Sequence, residues 1–324
     1  MTTGILMPED QDDVEPFADR AAALGYDGLW VTELWGRDAF VALTRAAEYT
    51  TDLDLGTAIV NVYGRSPATL AQAAATVADG ADGEVRLGLG TSTAKAIEDL
   101  HGMAFDNPPR RLHETIELTK EFLSSDGRVE YDGKLFDVAD FPSLESPLPV
   151  YAAALGPANR RATGRVADGW LPHNIPFDKL ADSHETIAEA AREVGRDPSD
   201  ITVTPYVPCA VSDDAEEAEA LVRNHLAYYL GSSDGYKNAA ALSFPEAADT
   251  VADAWRSGDR DDARAAVTEE MLQQLAIVGT PGVARERYDD LIDQDVVDNL
   301  IVTLPIGIEE DIRDQTLETL APSA

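Results

Sequence analysis

Short apolar runs and helical stretches alternate along this chain at a nearly constant spacing, and that rhythm limits the fold more than any other feature. Gly4-Ile5-Leu6, Gly28 to Thr32, Leu53 to Val60 and Val85 to Leu89 read as strands. Helical patterns fill the gaps from about Asp13 to Leu24, Phe40 to Tyr49 and Pro67 to Ala78, the last with proline in its first turn, where no amide is needed. Strands separated by whole helices must run parallel, because each helix carries the chain back to the starting edge. The rhythm resumes with strands at Pro149 to Ala153, Asp168 to Leu171, Ile201 to Val211 and Asn299 to Leu304. Eight such strands predict a (β/α)8 TIM barrel, a single domain over 1–324 with insertions after strands 4 and 7, at about 92–108 and 213–272. A hairpin at about 126–140, turning at Asp132-Gly133, lies outside the repeat. A doubly wound sheet would need a glycine-rich turn after the first strand, and Leu6-Met7-Pro8-Glu9 does not supply one.

Sixty acidic residues against 25 basic ones give a net charge of -35, which should repel nucleic acid and anionic membranes. The acids are spread out, as in the run from Glu9 to Glu15 and in Asp213 to Glu219, so they read as a solvated acidic surface. Excess carboxylate with little lysine resembles the surfaces of halophilic proteins, and the fold is expected to need high ionic strength. Cys209, the single cysteine, has the apolar flanks of a buried strand and cannot form an intrachain disulfide. No basic leader and no apolar run of about 18 residues is present. A soluble, cytoplasmic protein is expected.

In a barrel, chemistry collects on the loops after the strands. Two of these loops suit an anion. Gly88-Leu89-Gly90-Thr91-Ser92-Thr93 lets the backbone approach closely and offers hydroxyl and amide donors. Leu155-Gly156-Pro157-Ala158-Asn159 runs straight into a helix, whose first amides lack partners. Glu33 ends the second strand at the mouth. It can cap the following loop, pair with Arg37, or face a ligand. Trp35 can lie on a flat ring or simply cover the core. His173, after the sixth strand, is positioned to donate to a substrate or cofactor, whereas His101, His113, His184 and His225 read as surface or packing residues. HExxH, CxxC, Walker and GxSxG motifs are all missing, so metal, phosphate-loop and serine-hydrolase chemistry have no support. Anion-friendly loops without a nucleophile suit an enzyme whose cofactor carries the chemistry.

These residues also carry a family resemblance. Gly25-Tyr26-Asp27-Gly28-Leu29-Trp30-Val31-Thr32-Glu33, Leu55 to Ile59, Arg86 to Gly90, Pro149 to Pro157, Ala167-Asp168-Gly169-Trp170 and Val278-Gly279-Thr280-Pro281, in this order and spacing, resemble the bacterial luciferase-like superfamily. The likeness is strongest to its coenzyme F420-dependent branch, which includes methylenetetrahydromethanopterin reductase. The resemblance implies a hydride transfer between F420 and a small organic substrate. The alternative is an FMN-dependent monooxygenase of the same superfamily, although Thr91 stands where luciferases place a basic residue. The resemblance further implies a non-proline cis peptide at Ala58–Ile59, forming a bulge behind the cofactor's middle ring, with Asn61 at the ring's polar edge. The cofactor phosphate would lie between Gly90-Thr91-Ser92 and Leu155 to Asn159. Relatives are usually homodimers, so a homodimer is expected. In one respect the chain departs from its relatives: many carry Asp-His at the end of strand two, the histidine serving as base in alcohol oxidation, and here the pair is Glu33-Leu34. Leucine cannot accept a proton, so hydride transfer at an unsaturated or iminium-like carbon fits better, with Glu33 as the candidate for proton transfer.

Salt that screens like charges should stabilise such a chain. The thermal midpoint is expected to rise continuously between about 0.1 M and 2 M KCl, over which the screening length falls from about 10 Å to below 3 Å. A midpoint that is flat or falling across that range, measured by circular dichroism, would contradict this reading.

Overall fold

The computed structural model describes residues 1–9, 13–50, 53–124 and 127–322. Positions 10–12 of the acidic run and position 126 of the expected hairpin lie outside the described residues. The strands are β1 (Thr3–Leu6), β2 (Gly28–Val31), β3 (Asp54–Thr57), β4 (Val60–Asn61), β5 (Val85–Gly90), β6 (Arg128–Asp132), β7 (Asp137–Pro142), β8 (Val150–Ala153), β9 (Gly169–Trp170), β10 (Thr202–Val203), β11 (Tyr206–Val211), β12 (Ile277–Gly279) and β13 (Leu300–Thr303). β6 and β7 form the separate antiparallel hairpin. The others make one parallel sheet in the order β10-β9-β8-β5-β3-β2-β1-β13-β11-β12, with β4 attached to β5.

This order corrects the expectation of a closed eight-stranded TIM barrel. The sheet is a curled, open half-barrel whose pairing path ends at β10 and β12. Three elements differ from the expected strands, each with a physical cause. Ile201 to Val211 was expected as one strand, but Pro205 has no amide to give a ladder. The chain divides there into β10, which pairs with β9, and β11, which pairs with β13. Val278 and Gly279 entered only through the family resemblance and were not read as a strand, yet Ile277–Gly279 adds one beyond β11. Leu53 to Val60 was also expected as one strand, and it breaks between β3 and β4.

That last break has an identifiable origin. β3 pairs with β5 through Leu55 and Gly56. At the next step the Thr57 side chain replaces the ladder: its hydroxyl donates to the Gly88 carbonyl and accepts from the Gly88 amide, both at 2.8 Å. A Cβ on residue 88 would fall 1.9 Å from the Thr57 carbonyl oxygen, so only glycine lets the two strands approach this closely. Pairing resumes at Val60 with Leu89 and Asn61 with Gly90. Ala58 and Ile59, released from the ladder, turn into the concave side of the sheet. There Ala58 joins Leu6, Trp30, Tyr151, Leu171, Tyr206 and Ile301 in an interior cluster, with Ile59 and Ala153 packed on it.

Helices cover the convex face. Helix Pro67–Gly80 is started by Ser66, whose hydroxyl accepts from the Thr69 amide at 3.2 Å, and it buries Leu70, Ala71, Ala74, Ala75 and Val77 on one stripe. Asp38 starts helix Ala39–Tyr49 in the same way. After β11, helices Ala215–Ser232, Asp234–Ala240, Pro245–Ser257, Arg260–Ala265 and Glu269–Leu275 build a second core around Val222, Leu226, Leu230, Met271 and Leu272. Ala210 of β11 and Val278 of β12 belong to that core, so the inserted helices are welded to the sheet edge. Cys209, next to Ala210 on β11, is buried in the main core instead, as a free thiol. Among the described residues no helix is long and apolar enough to cross a membrane.

Gly88→Ala should force β3 and β5 apart and cost about 1–3 kcal/mol, as overpacking does. Urea unfolding in about 2 M KCl measures this, and a variant as stable as the parent would show that the close approach is dispensable.

Candidate active site

Ligands of open parallel sheets bind outside the carboxyl ends of the strands, and the candidate residues converge there. The β5–β8 ladder sets Gly90 beside Ala153, which places loop 91–94 next to loop 155–159. A Cβ on Gly90 would lie 3.0 Å from the Ile59 side chain, so the floor of this corner is kept bare by residue type. The Ala58–Ile59 peptide bond is cis. Ser92 has a positive φ of 56°, and the Thr93 hydroxyl accepts from the Ala96 amide at 3.2 Å to start the wide helical turn Ala96–Leu100. The Thr91 hydroxyl reaches the Ser92 carbonyl at 3.4 Å.

Across the corner, Gly156 precedes helix Pro157–Val166 without a side-chain cap, and Pro157 takes its first turn. Gly156, Pro157 and Ala158 are exposed, while the Asn159 Oδ1 is buried without a partner among the described residues. Arg160, which the sequence reading did not single out, is 8% exposed, and its Nε has no partner among the described residues. Burial, then neighbouring Arg161, lowers its pKa. In a chain this acidic, a buried arginine without a carboxylate beside it is unusual.

Asn61 is buried, and its Oδ1 accepts from the amides of Tyr63 (3.0 Å) and Gly64 (2.7 Å). Its amide nitrogen is thereby turned to His101 Nε2, 3.2 Å away. Glu33 is tied to the bulge by its own amide, which donates to the Ile59 carbonyl at 3.2 Å. Its carboxylate takes Arg65 in a two-pronged pair at 2.5 and 2.9 Å and accepts from the Ala39 amide at 2.9 Å. Arg65, and not Arg37, is therefore its partner, and Arg65 also binds Asp38 and lies 5.1 Å from the Phe40 ring centre. Both Glu33 oxygens are engaged, so moving a proton there requires this pair to loosen. Trp35 is 51% exposed, with its amide on Glu9, and does not enter the cluster.

His173 is buried and stacks on Tyr206, with ring centres 4.1 Å apart and planes within 3°. Its Nδ1 lies 2.8 Å from the Tyr206 carbonyl, which can only accept, so Nδ1 carries the proton and Nε2 is a bare acceptor. The free ring nitrogen is thus an acceptor, where a donor to substrate or cofactor was expected. Around it stand the edges of Tyr229 at 4.9 Å, Tyr236 at 5.8 Å and His225 at 6.2 Å. His225, read as a surface or packing residue, is buried and packs within this group. The available signal was its place on the stripe Val222, His225, Leu226 and Tyr229 of helix Ala215–Ser232. Burial, followed by Tyr236, Tyr228 and Glu9, holds the Tyr229 hydroxyl well above its ordinary range. The inserted helices also reach neighbouring loops: the Ile306 amide donates to His225 Nδ1 at 3.4 Å, and Gly235 faces Leu155. No group of three or more possible metal ligands occurs among the described residues.

With the geometry in place, comparison with known proteins gives the class. The model of the luciferase-like monooxygenase family matches residues 2–299, and the chain belongs to that family. The relatives it resembles fall in the F420-dependent oxidoreductase branch. It is 28% identical over 314 residues to 5,10-methylenetetrahydromethanopterin reductase of Methanolobus tindarius, covering 95% of each chain. It is 26% identical to the corresponding enzyme of Archaeoglobus fulgidus, over 91% of this chain and 90% of that one. Among solved structures, the coenzyme F420-dependent tetrahydromethanopterin reductase of Methanopyrus kandleri superposes with a TM-score of 0.82 at 24% identity, covering 99% and 97% of the two chains. An F420-dependent secondary alcohol dehydrogenase holding an F420-acetone adduct follows at 0.78 and 17%, with the same coverage.

Burial lowers the pKa of His173 to about 4 and, with His173 adding to it, that of His225 to about 3. Both lie below the unfolded value of about 6.5. The unfolded chain thus takes up protons first, and the stability held by the neutral imidazoles is complete above that pH and lost as pH falls through 6.5 toward 4. His225→Gln should lose less stability than the parent over that interval, measured by urea unfolding at fixed high salt. Identical slopes would mean that His225 is not held neutral.

Proposed function

We propose that this chain is a coenzyme F420-dependent oxidoreductase that moves a hydride between the deazaflavin and a small organic substrate at an unsaturated or iminium-like carbon, as in methylenetetrahydromethanopterin reduction. The observation that carries the reading is the corner between loops 91–94 and 155–159. It has a floor that a Cβ at residue 90 would crowd, a helix start without a side-chain cap, and the partnerless Nε of Arg160 one turn inside. That donor set fits a phosphate-bearing cofactor. Gly90, Thr91, Ser92 and Leu155 to Asn159 would hold its anionic part, with Arg160 supplying the compensating charge. Ala58 and Ile59 would back its ring, and Asn61, fixed by the amides of Tyr63 and Gly64, would meet the ring's edge. F420, when bound, supplies a carrier that gives or takes two electrons as hydride.

The protein's share of the work is positioning. The Thr57–Gly88 contact holds the bulge in the interior. The Glu33–Arg65 pair anchors the loop beside it and keeps a carboxylate near the mouth, able to move a proton or face developing positive charge once the pair loosens. Leu34, in the place of a basic histidine, disfavours alcohol oxidation by that route. The inserted helices over His173 keep water from the reacting carbon. We further read the chain as one domain, a homodimer, cytoplasmic, and without affinity for nucleic acid given its charge.

Titration in about 2–4 M salt, with F420 and FMN tested separately, distinguishes the two cofactors. F420 alone should bind, and Arg160→Gln should weaken it about tenfold, or ~1.4 kcal/mol. Binding of FMN alone would transfer the chain to the monooxygenase reading and make oxygen uptake the next measurement.

A further inference from the structure

The β9 loop and helix Ala215–Ser232 enclose polar atoms that the fold leaves without partners. His173 Nε2, His225 Nε2 and both amide atoms of Asn174 are buried and unbonded among the described residues. The three residues are 2%, 1% and 4% exposed, so solvent does not satisfy them. Buried polar groups are nearly always paired, and these four orphans, two of them on histidine rings 6.2 Å apart and two on the residue next to His173, leave hydrogen-bonding capacity for a ligand or for internal water. Asn174 sits in the left-handed region at φ 55°, a conformation that asparagine tolerates better than most residues.

His173 uses its Nδ1–H on the Tyr206 carbonyl, so its Nε2 accepts. His225 uses its Nδ1 lone pair on the Ile306 amide, so its Nε2 donates. Asn174 offers one group of each kind. Among the described residues, no charged side chain bonds to any of the three. The surrounding walls are aromatic: Tyr206 lies flat on His173, and Tyr229 and Tyr236 meet it edge-on. Tyr206 belongs to the same interior cluster as Ala58, so this polar group and the bulge border one interior.

We propose that His173, Asn174 and His225 are specificity residues that bind an uncharged, planar amide- or carbonyl-bearing end of the substrate, with His225 donating and His173 accepting. The proposal rests on the hydride-transfer reading for its purpose, though not for its geometry. A carboxylate or phosphate entering here would shed its water and find no cation in return, so substrates ionised at this end are rejected.

Nicotinamide and nicotinate make a matched probe pair, a planar ring bearing either a neutral amide or an anion. They would be titrated into the full-length protein in about 2 M KCl, following the side-chain nitrogen resonances of the histidines. Nicotinamide should shift the Nε2 signals of His173 and His225, and nicotinate should bind at least about tenfold more weakly. His225→Phe should lose nicotinamide binding about tenfold, while His225→Gln, which keeps a donor near the same point, should retain most of it. Equal binding of the two probes, unmoved histidine signals (the orphans then holding only internal water), or equal loss in both variants would each overturn the assignment. F420 affinity measured in parallel reports separately: nicotinamide binding without F420 binding would sink the hydride-transfer reading and leave this assignment standing.

Discussion

The arrangement of this molecule's interior depends on one contact, the approach of the Thr57 carbonyl to a residue that can have no side chain. Gly88 admits it, and the Thr57 hydroxyl bonds both the amide and the carbonyl that the ladder would otherwise have used. The two strands therefore stay joined across a break in their pairing. Ala58 and Ile59 are pushed to the concave side, where Gly90 leaves space for the Ile59 side chain. The corner proposed for the cofactor, the anchor on Glu33 and the interior cluster all begin at that break.

A second constraint is electrostatic. The chain carries its acids outside, yet the residues gathered at the mouth are almost all neutral: two histidines kept unprotonated by burial, three tyrosines and an asparagine. Low dielectric makes any charge there expensive, so selectivity at the mouth comes from matching donors to acceptors and not from attraction. The exceptions are informative. Arg65 is neutralised by Glu33 and Asp38, whereas Arg160 is left with an unpartnered Nε beside a helix start. One cation serves the architecture, and the other is suited to an anionic ligand.

Much of this was legible in the residues. The alternation of apolar runs and helices pointed to parallel strands, and the two loops rich in glycine and small residues were recognisable as neighbours before any coordinates, because both follow strands at the same end. The closed barrel was not a sound reading. A strand count does not register the missing amide of Pro205, nor the three-residue strand at Ile277–Gly279, which is too short to show a periodicity. The partner of Glu33 was also hidden: Arg37 is close in sequence, but Arg65, 32 residues away, is close in space. His225 looked like one more polar residue on a long helix until that helix was seen to cross the mouth.

Local chemistry by itself determined the alternation of strands and helices, the acidic surface, the bare glycines and the family membership, because these depend on residue type and short spacing. Tertiary structure alone decided which polar atoms would be left without partners. Whether His173 accepts or donates depends on a carbonyl 33 residues away, and His225 is buried against the loops that follow β9 and β13. A side chain's bonding state is set by everything packed around it, and that neighbourhood is assembled from distant parts of the chain only when the sheet curls.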